Sequence, residues 1–207
     1  MDLLFLGLLA ATGAYLANAH QQRQRIALLG EQLAPFQIER LMQTLTQGYL
    51  RAMGEADLQR RAQVLSTLEA SEIQLCSQFE RFVAGFARLP AEQTRVSRLP
   101  VALPLALQLL PAASFDMRAA LAVHARGIAR VRENRDGLGP RERAYTMTAE
   151  LLLMQHTCHW FCKSKTVASA RMLARHQTPY AQLLGSVSPS TRSAYLALVR
   201  PGAGRAG

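Results

Sequence analysis

Apolar and polar positions follow a helical period along nearly the whole chain. The first element is the most apolar. Residues 3–19 read LLFLGLLAATGAYLANA and carry no charge. The period continues through residues 21–29 and stops near Gly30 and Pro35. Ile38, Leu41, Met42, Leu45 and Tyr49 then mark a helix over residues 36–53, ended by Gly54. Residues 56–89 keep an apolar stripe of Leu58, Ala62, Leu65, Leu68, Cys76, Phe79, Val83 and Phe86, enough for a helix of roughly 50 Å. Cys76 reads there as a packed thiol.

Pro90, Pro100, Pro104 and Pro111 punctuate the middle of the chain. Residues 101–113 are apolar, but too short and too broken by Pro104 to span a bilayer. They read as a buried connector, with a membrane-surface segment as the alternative. Ser114 is placed to cap a helix reaching Glu133, where Asn134-Arg135-Asp136-Gly137 ends it. Its inner stripe is Met117, Leu121, His124, Ile128 and Val131. Gly139-Pro140 opens a last long helix over residues 141–175, apolar all round at 151–154 and therefore central. Thr178-Pro179 and Ser188-Pro189 begin two closing helices, and residues 201–207 read as a frayed tail. No strand-like alternation and no internal repeat competes. The expected fold is all-α: a single N-terminal transmembrane helix, then an irregular bundle of about five to seven helices. Residues 1–29 form the anchor and its extension, and 30–200 a cytoplasmic helical domain.

As a helix, the 17 uncharged residues of the first run would reach roughly 26 Å, at the short end of a membrane span. A secretory signal peptide is the rival, since Ala17-Asn18-Ala19 resembles a cleavage site. The flanks favour the anchor: Met-Asp precedes the run, whereas Arg23 and Arg25 follow it. The positive-inside rule then puts the body in the cytoplasm. Gly7 with Ala11, and Ala10 with Ala14, have the small-residue spacing through which two such helices could pair into a homo-oligomer.

Charge adds a polarity that the periodicity lacks. The net +10 is concentrated late: residues 20–110 hold 10 basic and 8 acidic residues, residues 111–207 hold 14 and 5. A polyanionic partner is implied, namely anionic lipid headgroups, an acidic protein or a nucleic acid. Arg118, Arg126 and Arg130 fall within about 120° on the outer face of their helix. Lys163, Lys165, Arg171 and Arg175 form a second basic group. Nucleic acid ranks behind lipid, because neither a helix-turn-helix spacing nor stacking aromatics accompany the arginines. A solvated face is the plainest reading of the three arginines, and the second group could extend them into one basic surface.

One segment has the residue types of a site. His156, Cys158, His159 and Cys162 lie within two turns, and His124 is the histidine that could face them from the preceding helix. Thiolate and imidazole together suit zinc, and also haem or copper. The spacing matches neither a short-loop zinc site nor a c-type haem attachment motif. No ExxH pair supports a di-iron site, because Leu153 stands three residues after Glu150. No cofactor is therefore predicted, and zinc or haem remains the alternative. No complete catalytic motif occurs, which favours a non-enzymatic role in interaction or scaffolding at a membrane.

Overall fold

The computed structural model describes residues 2–103 and 106–200, with side chains from Phe5 onward. Pro104 and the tail 201–207, read above as a breaker and as frayed, lie outside the described residues. The protein is predominantly helical, with ten helices among the described residues. They are α1 (Asp2–Leu33), α2 (Ile38–Gly54), α3 (Leu58–Phe86), α4 (Ala91–Thr94), α5 (Ala106–Leu109), α6 (Met117–Arg132), α7 (Pro140–Cys162), α8 (Lys165–His176), α9 (Tyr180–Ser186) and α10 (Pro189–Val199).

The excess over five to seven helices has local causes. The 141–175 helix is interrupted after Cys162, where Ser164 turns extended and accepts a hydrogen bond from Val167 N–H, capping α8. The two one-turn helices α4 and α5 sit among the prolines. Conversely, α1 does not stop at Gly30 but runs on to Leu33.

A short ribbon was not expected. β1 (Arg95–Ser97) pairs antiparallel with β2 (Ser114–Asp116), setting Val96 opposite Phe115, both buried. Ser114 therefore does not cap α6. Asp116 does, accepting from Arg118 N–H at 2.9 Å. The ribbon closes the neck of an excursion formed by residues 98–113.

α2 and α3 form an antiparallel hairpin, and α7 lies at the centre, packed on α6, α8, α2, α9 and α1. Leu151, Leu152, Leu153 and Met154 of α7 are all buried, as expected for a helix apolar on every side. Phe79, Phe82 and Phe86 of α3 meet Phe161 of α7 in a continuous aromatic row. Cys76 packs in the same core. Glu72, Arg143 and Tyr49 form a polar pin through it: the Glu72 carboxylate accepts from Tyr49 Oη at 2.6 Å and from both Arg143 terminal nitrogens at 2.8 and 3.1 Å.

Among the described residues, no helix is long and apolar enough to cross a membrane. The transmembrane expectation thus gains no support from the fold itself. Leu3 and Leu4, which open the apolar run, lie outside the described side chains.

Candidate functional site

The histidine–cysteine segment folds as the end of α7, and its side chains disperse. His124, on α6, is fully buried, with Nε2 2.9 Å from Thr157 Oγ1. Thr157 donates its own proton to the Leu153 carbonyl at 2.9 Å and stands 3.0 Å from Tyr195 Oη. Its oxygen is then left to accept, which assigns the His124 proton to Nε2. His156 turns the other way: its Nε2 lies 3.1 Å from Ser169 Oγ of α8, and its ring stacks on Tyr180 at 4.5 Å. Burial pushes both imidazoles down to about 3, so both are neutral at ordinary pH.

The thiols behave similarly. Burial lifts Cys158 to about 12 and Cys162 to about 11, and both pack as partly buried neutral groups at the core edge. His159 is half-buried beside Arg171 and Arg175, which add to burial in lowering its pKa. Among the described residues, no three His, Cys, Asp or Glu side chains converge to hold a metal ion. The five residues proposed as ligands share a neighbourhood but not a centre.

The outer arginines of α6 are largely neutralised within the protein. Arg118 forms a forked pair with Asp116, Nε and Nη2 lying 2.9 and 2.7 Å from Oδ2. Arg130 is held the same way by Asp136. Arg126 is exposed and makes no ion pair among the described residues. A face of three free cations, as the helical projection suggested, therefore reduces to one.

The second basic group lies where carboxylates are missing. No acidic residue occurs in 3–30, in 93–115 or anywhere after Glu150. The fold brings these three stretches together at one pole. Arg25 of α1 donates to the Phe161 carbonyl at the end of α7 (3.2 Å) and to the Arg95 carbonyl of β1 (2.9 Å). Lys163 donates to Gln22 Oε1 of α1 at 2.9 Å. Asn18 of α1 reaches the Ala102 carbonyl of the excursion at 3.4 Å. Lys165 stands over the rings of Trp160 and Tyr180. Beside it, Arg98, Lys165 and Arg200 border an open groove of about 310 Å³ with Leu99, Pro100 and Leu196. Arg171 and Arg175 are exposed farther along α8.

Beyond Asn18, α1 leaves the body. Phe5, Leu6, Leu8, Leu9, Tyr15 and Leu16 are all exposed, Phe5 and Leu8 to 67% and 68%. An apolar helix exposed on every side, rooted in a pole rich in cations, is the most unusual surface feature of the protein. No family model, curated protein or solved structure matches this chain.

Proposed function

We propose that this is a single-pass, membrane-anchored helical protein. Its body lies at the cytoplasmic face of a bilayer as a non-enzymatic interaction or scaffold element. The observation that carries the reading is the start of α1, where large apolar side chains are exposed all round and pack on nothing in the body. Such a surface in water opposes solubility, whereas in hydrocarbon it is matched. Counting Leu3 and Leu4, the uncharged run reaches roughly 26 Å before Arg23 and Arg25. The cations at the root suit anionic headgroups, each contributing about 1 kcal/mol near such a surface. The positive-inside rule orients the body toward the cytoplasm.

The test uses the full chain with vesicles of neutral lipid, and of neutral lipid with phosphatidylserine. The protein floats with both, more tightly with phosphatidylserine, and resists a carbonate wash. Leu6→Glu with Leu9→Glu abolishes this. Arg171→Glu with Arg175→Glu removes only the preference for phosphatidylserine. A wild-type chain left in solution, or one whose exposed run is consumed by a lipid-independent oligomer, overturns the reading.

A further inference from the structure

We infer that residues 98–103 and 106–113 form a second membrane contact, dipping Val101, Leu103, Leu109 and Leu110 into the bilayer surface at the root of α1. The inference rests on the anchored reading and goes beyond it, because it fixes how the body sits.

The excursion is not the buried connector that its composition suggests. Leu109 is 74% exposed, and Val101, Leu103 and Leu110 are about half exposed. Four large apolar side chains within ten residues therefore face outward, while Ala106 between them is buried. A solvated loop would normally carry polar residues at these positions.

The segment is nevertheless firmly held. The β1–β2 ribbon closes its neck, and Arg98 N–H donates to the Ala113 carbonyl at 2.8 Å, extending the closure. The Arg98 guanidinium reaches the Leu198 carbonyl at 2.7 Å and the Ala112 carbonyl at 3.0 Å. Thr166 donates to the Pro100 carbonyl from both its backbone N–H and its hydroxyl, at 3.0 and 2.7 Å. Residues 97–100 are thus tied to α8, α10 and the ribbon, and the exposed leucines are presented from a fixed base.

Position identifies the occupant as a bilayer. Val101, Ala102, Leu103, Ala106 and Leu107 line one small cavity with Asn18 and Gln21 of α1, and Asn18 reaches the Ala102 carbonyl at 3.4 Å, just where the freely exposed part of that helix begins. From Asn18 back to Asp2, α1 extends about 24 Å, which reaches most of the way across a hydrocarbon core of about 30 Å. With that length immersed, the excursion stands at headgroup level. Its charge fits there too: residues 93–115 contain Arg95 and Arg98 and no acid. Lys163, just past the end of α7, and Lys165 of α8 stand beside it. Asp116, opposite Arg95 in the ribbon, is already taken up by Arg118, so apolar tips within a net cationic surround match an anionic interface, whereas an acidic protein would match only the cations.

The experiment uses the full chain on phosphatidylserine vesicles with lipids brominated near the headgroup end of the acyl chain. Leu109→Trp is compared with Ile73→Trp, an exposed site on α3, each read against the buried native Trp160. Bound Leu109→Trp should shift to the blue and lose most of its added emission to the bromines, while Ile73→Trp stays unquenched. In a separate variant, Leu109→Glu with Leu110→Glu should still float through α1, but with affinity lowered by roughly tenfold or more. A floating Leu109→Trp protein without quenching overturns this inference and leaves the anchor standing. Quenching equal to that of Ile73→Trp means indiscriminate adsorption and overturns it as well. A chain that does not float at all overturns the anchor, and this inference with it.

Discussion

Replacing Glu72 with alanine should destabilise the body by about 2–4 kcal/mol. Breaking a fully buried ion pair from one side costs about 3–5 kcal/mol. The Glu72 side chain is 2% exposed but Arg143 is 22% exposed, so the orphaned guanidinium regains some water, which lowers the expected cost. Part of the remainder comes from Tyr49, whose buried hydroxyl loses its acceptor at 2.6 Å. Burial, and next the Glu72 charge, hold that phenol well above its usual pKa, so it donates and never competes as an anion. Glu72→Gln keeps an acceptor for Tyr49 and should cost about 1–2 kcal/mol. Arg143→Ala strands the carboxylate instead and should cost at least as much as Glu72→Ala. Urea unfolding followed by circular dichroism at 222 nm gives the values, and a Glu72→Ala/Tyr49→Phe cycle gives the coupling. A loss below about 1 kcal/mol for Glu72→Ala, or strict additivity in the cycle, would refute a pin joining α2, α3 and α7.

Three further outcomes follow from buried groups. At Gly127 an added Cβ would overlap Thr191 Oγ1 and stand 2.5 Å from Glu150 Oε2, so Gly127→Ala should cost about 1–3 kcal/mol; a neutral result in the same unfolding assay would show that α10 yields. His124 and His156 hold folded pKa values of about 3 against 6.5 unfolded. The unfolded chain therefore binds protons that the folded one refuses, and stability is complete above pH 6.5 and falls as pH drops from 6.5 toward 3. By pH 5 the loss is roughly 2 kcal/mol for each of these histidines, and His124→Gln should remove its own share while His156 and the lowered His159 and His176 keep the remainder; a flat profile between pH 7 and 5 contradicts neutral burial. The thiols, with Cys76 lifted to about 11 and the other two higher than or equal to it, should react slowly with a thiol reagent at pH 7.5 and fully in denaturant; rapid labelling of Cys162 in the native protein would disprove a neutral, packed thiol.

Periodicity identifies the large helices of the body because each buries a stripe in the shared core, and burial is what the 3.6 period records. Contacts distant in sequence leave weaker traces. The β1–β2 ribbon pairs three residues across an excursion, too few for alternation to register. The stop at Cys162 rests on the Ser164 cap, one hydroxyl inside an otherwise continuous pattern. Glu72 was legible in principle, since it occupies the apolar stripe between Leu68 and Cys76 at helical spacing, and a carboxylate there implies a partner. The partner, 71 residues away, was not. The arginines of α6 mislead for the converse reason: a helical projection shows a face, but not that Asp116 and Asp136 fold back onto it from the helix ends.

The positive charge of this protein is better understood through the placement of its carboxylates than through its total. Arginines are spread along most of the chain, and Arg118, Arg130 and Arg143 are matched by acids. The sequence runs 3–30, 93–115 and 151 onward contain no acid at all, yet they lie far apart in the chain. The docking of α1 on the end of α7, through Arg25 and Lys163, and the ties of Arg98 and Pro100 to α10 and α8 join them into one surface. A cation without an internal partner keeps its field for an external one, and several such cations side by side act together over a Debye length of about 8 Å. The same surface carries the two apolar features that the body leaves uncovered, α1 before Asn18 and the excursion at 98–113. Apolar protrusions and unmatched cations favour different partners when separate, protein or solvent for one and any polyanion for the other. Placed together, they are what the proposed bilayer contact rests on, since a bilayer offers hydrocarbon beneath an anionic layer.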